Sequence, residues 1–268
     1  MAGTNLNMNI ITANVHRIKS KEKIVELKSL LQKFNPSVVY IQEIGVMMAM
    51  EIFRSNYQVF VNLEEDAMDG DGIGIATIIQ EGIDVRDIII GSEGRTIGLK
   101  TGNAQFWNIY PKSGSGEKKW RENFFREVLP NMMTNWKDHT DFLSMGGDVN
   151  CTHRKKDSEN NQEQHFQAGL RDFLSTFNLK DDYVRLHGEE NPVSFSRITN
   201  RSKTRIDILT STLDLCNSFR YWEPGLTGYD HKFGIAEYNF DMEAEKEFIP
   251  KERRRFSWAF PRELEVDE

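Results

Sequence analysis

The segment Gly146-Gly147-Asp148-Val149-Asn150 follows an apolar run that we predict to be a strand over residues 139–145. Asp148 and Asn150 would then lie just beyond a strand end, where a rigid scaffold commonly presents catalytic groups. Taken alone, the segment is equally typical of an ordinary turn, because Asp, Asn and Gly dominate turns. Its meaning therefore depends on whether other chemically active side chains occupy the same kind of position.

Five further segments do place such side chains at or near strand ends. They are ITANV at 11–15, VYIQE at 39–43, FWNIY at 106–110, TRID at 204–207 and YDH at 229–231. A carboxylate at the end of a buried strand, as predicted for Glu43, is costly unless a metal compensates it. Carboxylates, amides, a phenol and an imidazole suit metal-assisted phosphodiester hydrolysis. The six segments supply Asn14, Glu43, Tyr110, Asp148, Asn150, Asp207, Asp230 and His231.

Helices and short strands alternate along the chain. Apolar residues at helical spacing predict helices over 20–34, 117–136 and 162–177, with Ser20 as the N-cap of the first. Many short strands among these helices indicate an α/β sandwich with mixed sheets, and fit a parallel doubly wound sheet less well. The predicted strands are 7–13, 38–42, 72–79, 85–90, 95–100, 105–110, 139–145, 193–198, 204–210, 213–220 and 233–240.

Composition limits the class of protein. The 268 residues are 38% hydrophobic and 28% charged, which is ordinary for a globular protein with one large domain. The net charge of −7 counts against a protein that coats nucleic acid by bulk charge, but not against a nuclease that concentrates carboxylates around a metal. Two cysteines and the absence of any apolar run near ~20 residues predict an intracellular, reducing location and no membrane partner.

In this order, the six segments resemble the motifs of the endonuclease/exonuclease/phosphatase superfamily, which includes pancreatic deoxyribonuclease and the apurinic endonucleases. The resemblance implies a four-layered α/β sandwich in which two mixed, largely antiparallel sheets are flanked by helices. It covers residues 1–240, the implied endonuclease domain. Residues 241–268 are charged and lose the periodicity of the rest, so we predict a tail or a linker toward a following domain.

The resemblance also implies a metal centre that takes Mg²⁺, with Mn²⁺ as a possible substitute. Glu43 resembles the main ligand, Asp230 a further or alternate ligand, and Asn14 a third. Asp148 resembles the group that orients or deprotonates the attacking water. His16 is a departure, because apurinic endonucleases place a metal-linked carboxylate there, and the sequence therefore leaves open whether the centre holds one metal or two.

The other matching residues are implied to hold the scissile phosphate. Asn14, Asn150, Tyr110 and His231 resemble the donors that stabilise the charge growing on it. Asp207 resembles the carboxylate that keeps the imidazole of His231 oriented and protonated. A second departure is Tyr229, which stands where the superfamily usually has Ser.

Two short segments are similar to the endonuclease domain of LINE-type non-LTR retrotransposons. One is the predicted hairpin that runs from FSR at 195–197 to TRID at 204–207, and the other is the basic-then-Trp stretch at 253–258. This likeness implies a double-stranded DNA target, a nuclear location, a monomer, and fusion to a reverse transcriptase in the full-length polyprotein. The hairpin residues expected to contact DNA are Arg197, Asn200, Arg201, Lys203 and Arg205.

Two alternatives remain from the sequence. One is a phosphatase or phosphodiesterase of the same superfamily that acts on RNA, lipid or inositol phosphates. The other is a catalytically silent nucleic-acid-binding module, which would be expected to have lost at least one of the active groups. The hairpin itself could also be an ordinary solvated turn, since charged turns are commonly just exposed.

Overall fold

The computed structural model describes residues 7–17, 21–44, 53, 57–64, 74–134, 136, 142–159, 165–189, 194–200, 202–225 and 229–240. The strands in this part of the chain are β1 Met8–Asn14, β2 Val38–Gln42, β3 Tyr57–Leu63, β4 Gly74–Gln80, β5 Asp87–Ile90, β6 Thr96–Lys100, β7 Ala104–Ile109, β8 Phe142–Asp148, β9 Lys180–Asp181, β10 Arg197–Ile198, β11 Lys203–Thr204, β12 Asp207–Ser211, β13 Cys216–Trp222 and β14 Phe233–Tyr238. The α-helices are α1 Lys21–Phe34, α2 Lys118–Asn123, α3 Leu129–Thr134, α4 Ala168–Thr176 and α5 Asp182–His187, and a π-helical turn, Phe124–Val128, joins α2 to α3.

Two six-stranded sheets form the centre of the fold. Sheet I has the order β13-β14-β1-β2-β4-β3, and sheet II has the order β5-β6-β7-β8-β12-β9. Only the β1–β2 and β7–β8 pairs are parallel among the paired strands of these sheets, within the described residues. The sheets are therefore mixed and largely antiparallel, as the sequence predicted.

Helices cover the outer face of each sheet, which makes four layers. Leu27 and Leu30 of α1 share one buried cluster with Ile41 of sheet I, whereas Phe173 of α4 shares another with Trp107 of sheet II. A third cluster fills the space between the sheets and contains side chains from both. This is the four-layered α/β sandwich predicted from the motifs. No helix of the described part of the chain is long and apolar enough to span a membrane.

The glycine pair lies inside β8, so the predicted strand 139–145 ends three residues too early. Close contacts with neighbouring strands explain why both positions require glycine. A Cβ at Gly146 would lie 2.7 Å from the ring of Tyr40, and one at Gly147, where φ is 145°, would collide with the carbonyl of Ile109. Because the glycine pair belongs to the strand, Asp148 is the last residue of β8 and lies opposite Asp207 of β12.

Two other predicted elements differ from the structure. The helix predicted over 162–177 begins at Ala168, because Phe166 pairs with the backbone of Thr152 in a parallel bridge. The predicted hairpin of 193–198 with 204–210 is reduced to β10 and β11, because Asp207–Ser211 leaves to pair with β8 in sheet II. The strand β3 was not predicted. The predicted N-cap Ser20 and the tail 241–268 lie outside the described residues.

Candidate active site

The polar ends of six segments meet at one edge of the sandwich. Because β1 is parallel to β2, and β7 to β8, the carboxyl ends of each pair lie at one edge of their sheet. The hydrogen bond from Asn14 to Asp148 joins the two edges. The antiparallel neighbours β12 and β14 begin at these same edges. All eight residues predicted to be catalytic lie there: Asn14, Glu43, Tyr110, Asp148, Asn150, Asp207, Asp230 and His231.

Asn14 joins the two carboxylates that face each other across the sheets. Its Nδ2 donates to Glu43 Oε1 at 3.0 Å and to Asp148 Oδ2 at 2.9 Å. Its Oδ1 accepts the backbone N–H of His16 at 2.9 Å, which fixes the orientation of the amide because a backbone nitrogen can only donate. One lone pair of the Asn14 oxygen is thus engaged by the chain, and the amide orients Glu43 and Asp148. The role of Asn14 as a metal ligand stays a prediction.

The hydroxyl of Tyr110 donates to the same oxygen of Glu43 at 2.7 Å. Burial, together with the neighbouring charges of Glu43 and Asp148, raises the pKa of Tyr110 far above its usual range. The phenol therefore stays protonated and remains a hydrogen-bond donor at every working pH.

Asn150 is in a left-handed conformation, with φ of 52°, and its amide donates to the Pro111 carbonyl at 2.9 Å. That donation holds the loop after β7 against the loop after β8.

A layer of buried amides beneath the site was missed by the sequence analysis. Gln42 Nε2 donates to Asn108 Oδ1 at 2.8 Å, and Asn108 Nδ2 donates to the Ala76 carbonyl at 2.8 Å. Both side chains are fully buried, and each lies one or two residues before a site residue, Glu43 or Tyr110. Since a buried polar group is stable only when it is paired, this network fixes β2 against β7 across the two sheets. The signal was present, because each amide interrupts an otherwise apolar strand.

His231 lies among three carboxylates. Its Nδ1 is 2.8 Å from Asp207 Oδ2, and its Nε2 is 3.8 Å from both Asp148 Oδ2 and Asp230 Oδ1. Burial lowers the pKa of His231, but the charges of Asp207, Asp148 and Asp230 outweigh burial and raise it to about 9. The imidazole is therefore protonated at neutral pH, with Nε2–H available as a donor.

Asp148 has a buried carboxyl group whose properties fit a proton acceptor. Burial raises the pKa of its carboxyl group well above the usual range, and the charge of nearby His231 opposes this only in part. Oδ1 accepts the backbone N–H of Asn150 at 2.9 Å, while Oδ2 accepts from Asn14. A carboxylate whose pKa is shifted toward neutrality accepts a proton more readily than an ordinary aspartate does, which suits a general base.

The side chains that fit a divalent cation are Glu43 and Asp230. Glu43 Oε1 accepts two hydrogen bonds, and its Oε2 lies 3.7 Å from His16 Nδ1. Asp230 Oδ1 is buried and accepts no hydrogen bond from the described residues, and it also lies 3.8 Å from His16 Nδ1. A buried carboxylate oxygen without a donor is unfavourable unless a cation compensates it. Oxygen donors of this kind suit Mg²⁺ or Mn²⁺.

Asp148, Asp207 and His231 also bring possible ligand atoms within 4.8 Å of one another. This second group fits a cation less well. Nδ1 of His231 is bonded to Asp207, and the raised pKa keeps a proton on the ring, which removes the lone pair that a metal needs. The acidic pair of Glu43 and Asp230 is therefore the better candidate for the metal centre.

Tyr229, the second departure noted in the sequence, packs beside the eight site residues and not among them. Its ring lies edge-on to Phe233, at 5.4 Å between centroids, and the ammonium of Lys23 sits 4.5 Å from its centroid. Lys23 Nζ donates to the carbonyl of His16 at 2.9 Å. The Lys23–Tyr229 contact thus braces the loop after β1 without replacing any of the eight site residues.

The five residues predicted to contact DNA differ in how far the structure exposes them to solvent. Asn200 is exposed at the hairpin turn, and the side chains of Arg197 and Lys203 are 38% and 45% exposed. Arg201 lies outside the described residues. The prediction is wrong for Arg205, whose side chain has no exposed surface: its guanidinium donates to Asp157 at 2.9 Å and to Asp181 at 2.7 Å. Arg205 is a structural cation that anchors the chain two residues before Asp207.

We expect Arg205→Gln to lower the free energy of unfolding by about 3–5 kcal/mol, because it leaves two buried carboxylates without their cation. Urea unfolding followed by circular dichroism measures this. The control is Arg126→Gln, which removes an exposed arginine that pairs with the partly exposed carboxylates of Glu122 and Asp172 and should move the midpoint little. Equal effects of the two substitutions would contradict a buried, structural role for Arg205.

Comparison with solved structures identifies the architecture. The chain is similar to an AP endonuclease from Archaeoglobus fulgidus, with a TM-score of 0.72 and 18% identity over 87% of this chain and 100% of that chain. A 3′ phosphatase from Neisseria, solved with a product DNA hairpin, has a TM-score of 0.72 and 16% identity over 87% and 100%. An AP endonuclease from Leishmania major has a TM-score of 0.70 and 16% identity over 88% of each chain.

These structures belong to the superfamily whose motifs the sequence resembles, and they confirm the predicted DNase I-like fold. No protein-family model matches the chain, and no curated protein matches it in sequence.

Proposed function

We propose that the protein is a divalent-metal-dependent endonuclease that nicks double-stranded DNA by hydrolysing a phosphodiester bond. The observation that carries the proposal is that a cation site, a proton acceptor and a protonated donor lie together at one edge of the sandwich. Glu43 and Asp230 form the first, Asp148 the second and His231 the third. Phosphodiester hydrolysis needs these three functions within a few ångströms of one another.

Each side chain has a task in this reaction. Asp148 accepts the proton of the attacking water, because its pKa is raised and Asn14 holds its carboxylate in place. His231 donates through Nε2 to a phosphate oxygen, and Asp207 keeps the ring oriented with its proton. The hydroxyl of Tyr110 donates its one proton to Glu43 Oε1 and holds that carboxylate in place. When bound by Glu43 and Asp230, Mg²⁺ would stabilise the negative charge that develops on the phosphate.

DNA is the substrate class that we infer. Two of the similar structures are AP endonucleases, and the phosphatase was solved with a DNA product. The hairpin formed by β10 and β11 lies beside Asp230 and exposes Asn200, Arg197 and Lys203, which can contact phosphates in a groove. We further propose that this hairpin biases where the nick falls, mainly by reading groove shape.

The retrotransposon setting extends this proposal. The hairpin and the segment 253–258 are similar to parts of LINE-type non-LTR retrotransposons, in which a nick in nuclear DNA would prime copying by a fused reverse transcriptase. Such priming requires a free 3′-hydroxyl at the nick. We therefore expect a DNA polymerase to extend the nicks that the protein makes in a plasmid without any prior end processing.

A substrate panel tests the proposed class of reaction. Supercoiled plasmid, duplex DNA with a 3′-phosphate end and single-stranded RNA are each incubated with Mg²⁺. Plasmid nicking should be the main activity, and the nicks should be extendable. Release of the 3′-phosphate or breakdown of RNA without plasmid nicking would instead identify a phosphatase or ribonuclease of the same fold. Binding of DNA without any chemical change would identify a silent module.

A further inference from the structure

The hairpin is hydrogen-bonded directly to the segment that carries Asp230 and His231. The N–H of Ile198 donates to the Asp230 carbonyl at 3.1 Å, and the N–H of Lys232 donates to the Ser196 carbonyl at 2.6 Å. Between these two bonds, the backbone of Arg197 pairs with that of His231 in an antiparallel bridge. The first strand of the hairpin and the segment that carries Asp230 and His231 therefore form one hydrogen-bonded ladder. A ligand that displaces the hairpin would also displace these two residues.

The side chain of Arg197 makes a second connection. Its Nε donates to Asp230 Oδ2 at 3.0 Å, on the side of the carboxylate away from the unpaired Oδ1. Within the described part of the chain, the two terminal nitrogens of Arg197 donate no hydrogen bond, and the side chain is 38% exposed. A guanidinium carries five N–H groups in a planar fork, so its terminal pair can hold a phosphate in a bidentate manner while Nε keeps its carboxylate.

We propose that Arg197 bridges Asp230 and a DNA phosphate, and that it thereby couples the binding of DNA to the binding of the metal. The inference rests on the proposed function, since it takes Asp230 as part of the cation site. It also names the chemistry of the ligand, which is a phosphodiester oxygen next to the scissile one.

The sign of the coupling follows from charge. Without DNA, the positive charge of Arg197 lies against Asp230 and opposes a second cation at the same carboxylate. A phosphate on the outer edge of the guanidinium compensates that charge, so the metal binds more tightly in the DNA complex. Linkage requires the reverse as well: a bound metal tightens DNA binding by the same factor.

Arg197→Gln separates this proposal from a simple structural role, because the two affinities should move in opposite directions. Calorimetry with Mg²⁺ and no DNA should show about 3- to 5-fold tighter binding in the variant, since a half-exposed competing cation has gone. Fluorescence anisotropy with a labelled DNA duplex in EDTA should show binding weakened about 10-fold, since a bidentate phosphate contact is lost.

Lys203→Gln is the matched control. Lys203 lies on the partner strand of the same hairpin, but its ammonium pairs with Glu159 at 2.9 Å and not with Asp230. It should weaken DNA binding and leave Mg²⁺ affinity unchanged. Should Arg197→Gln fail to fold, Arg197→Lys carries the test: the retained charge keeps Mg²⁺ affinity at the wild-type value, while the lost fork weakens DNA binding.

The proposal is overturned if Arg197→Gln binds Mg²⁺ no more tightly than the wild type, or if Arg197→Lys binds DNA as the wild type does. Failure of the underlying function has a different signature. In that case Glu43→Gln would bind Mg²⁺ as tightly as the wild type does, whatever the Arg197 variants show.

Discussion

Replacing Glu43 by Gln is expected to abolish metal-dependent nicking and to remove measurable Mg²⁺ binding. The amide keeps an oxygen for Asn14 Nδ2 and the Tyr110 hydroxyl, so the local hydrogen bonds survive, but the charge that holds the cation is lost. The effect is large because a hard divalent cation depends on anionic oxygen ligands, and Glu43 supplies one of the two carboxylates of the proposed cation site.

Calorimetric titration with Mg²⁺ measures the loss directly, and circular dichroism checks that the fold is retained. Glu223→Gln is the control, because its exposed carboxylate lies 3.8 Å from Lys232 and away from the site. That variant should bind Mg²⁺ as the wild type does. Unchanged Mg²⁺ affinity in Glu43→Gln would remove Glu43 from the metal centre.

The second large effect is expected from Asp207→Asn, which should lower the nicking rate by on the order of 10²-fold or more. The nearest carboxylate to His231 is lost, so its pKa falls from about 9 and the ring is less often protonated and less well oriented. Since the proposed role of His231 needs the protonated ring, we expect wild-type activity to decline as pH rises through about 9, and the decline in the variant to begin at lower pH.

Single-turnover nicking as a function of pH measures both changes, with DNA affinity recorded in parallel and expected to stay nearly constant. Glu223→Gln is again the control, because it removes an exposed carboxylate that lies 3.8 Å from Lys232 and outside the site. It should leave the alkaline limb of the profile in place. An unshifted alkaline limb in Asp207→Asn would show that Asp207 does not act through His231.

The sequence was sufficient for the fold class and for the set of residues at the site edge, because both depend on short segments in a fixed order. It was not sufficient for contacts that join distant segments. Nothing local distinguishes Arg205 from Arg197, yet the first is buried by Asp157 and Asp181, which lie 48 and 24 residues away, and the second is half-exposed. The same limit applies to Asn14, whose two carboxylate partners come from different sheets.

Element boundaries failed for a related reason. Helical periodicity continues before Ala168, but the backbone of Thr152 pairs with Phe166 and thereby delays the helix. The glycine pair was interpreted as the end of a strand, although the crowding of Tyr40 and Ile109 requires glycine within the strand itself. In each case a tertiary contact overrides a correct local signal, and such contacts are visible only in the folded structure.

We propose that the residues at this edge cleave DNA with the help of a bound divalent cation. The measurement that decides this is the conversion of supercoiled plasmid to open circles by the wild-type protein in Mg²⁺, after addition of excess EDTA, and after restoration of Mg²⁺. We predict nicking in the first condition, none in the second and recovery in the third. Nicking that persists in EDTA, or that is absent with both Mg²⁺ and Mn²⁺, would contradict the account.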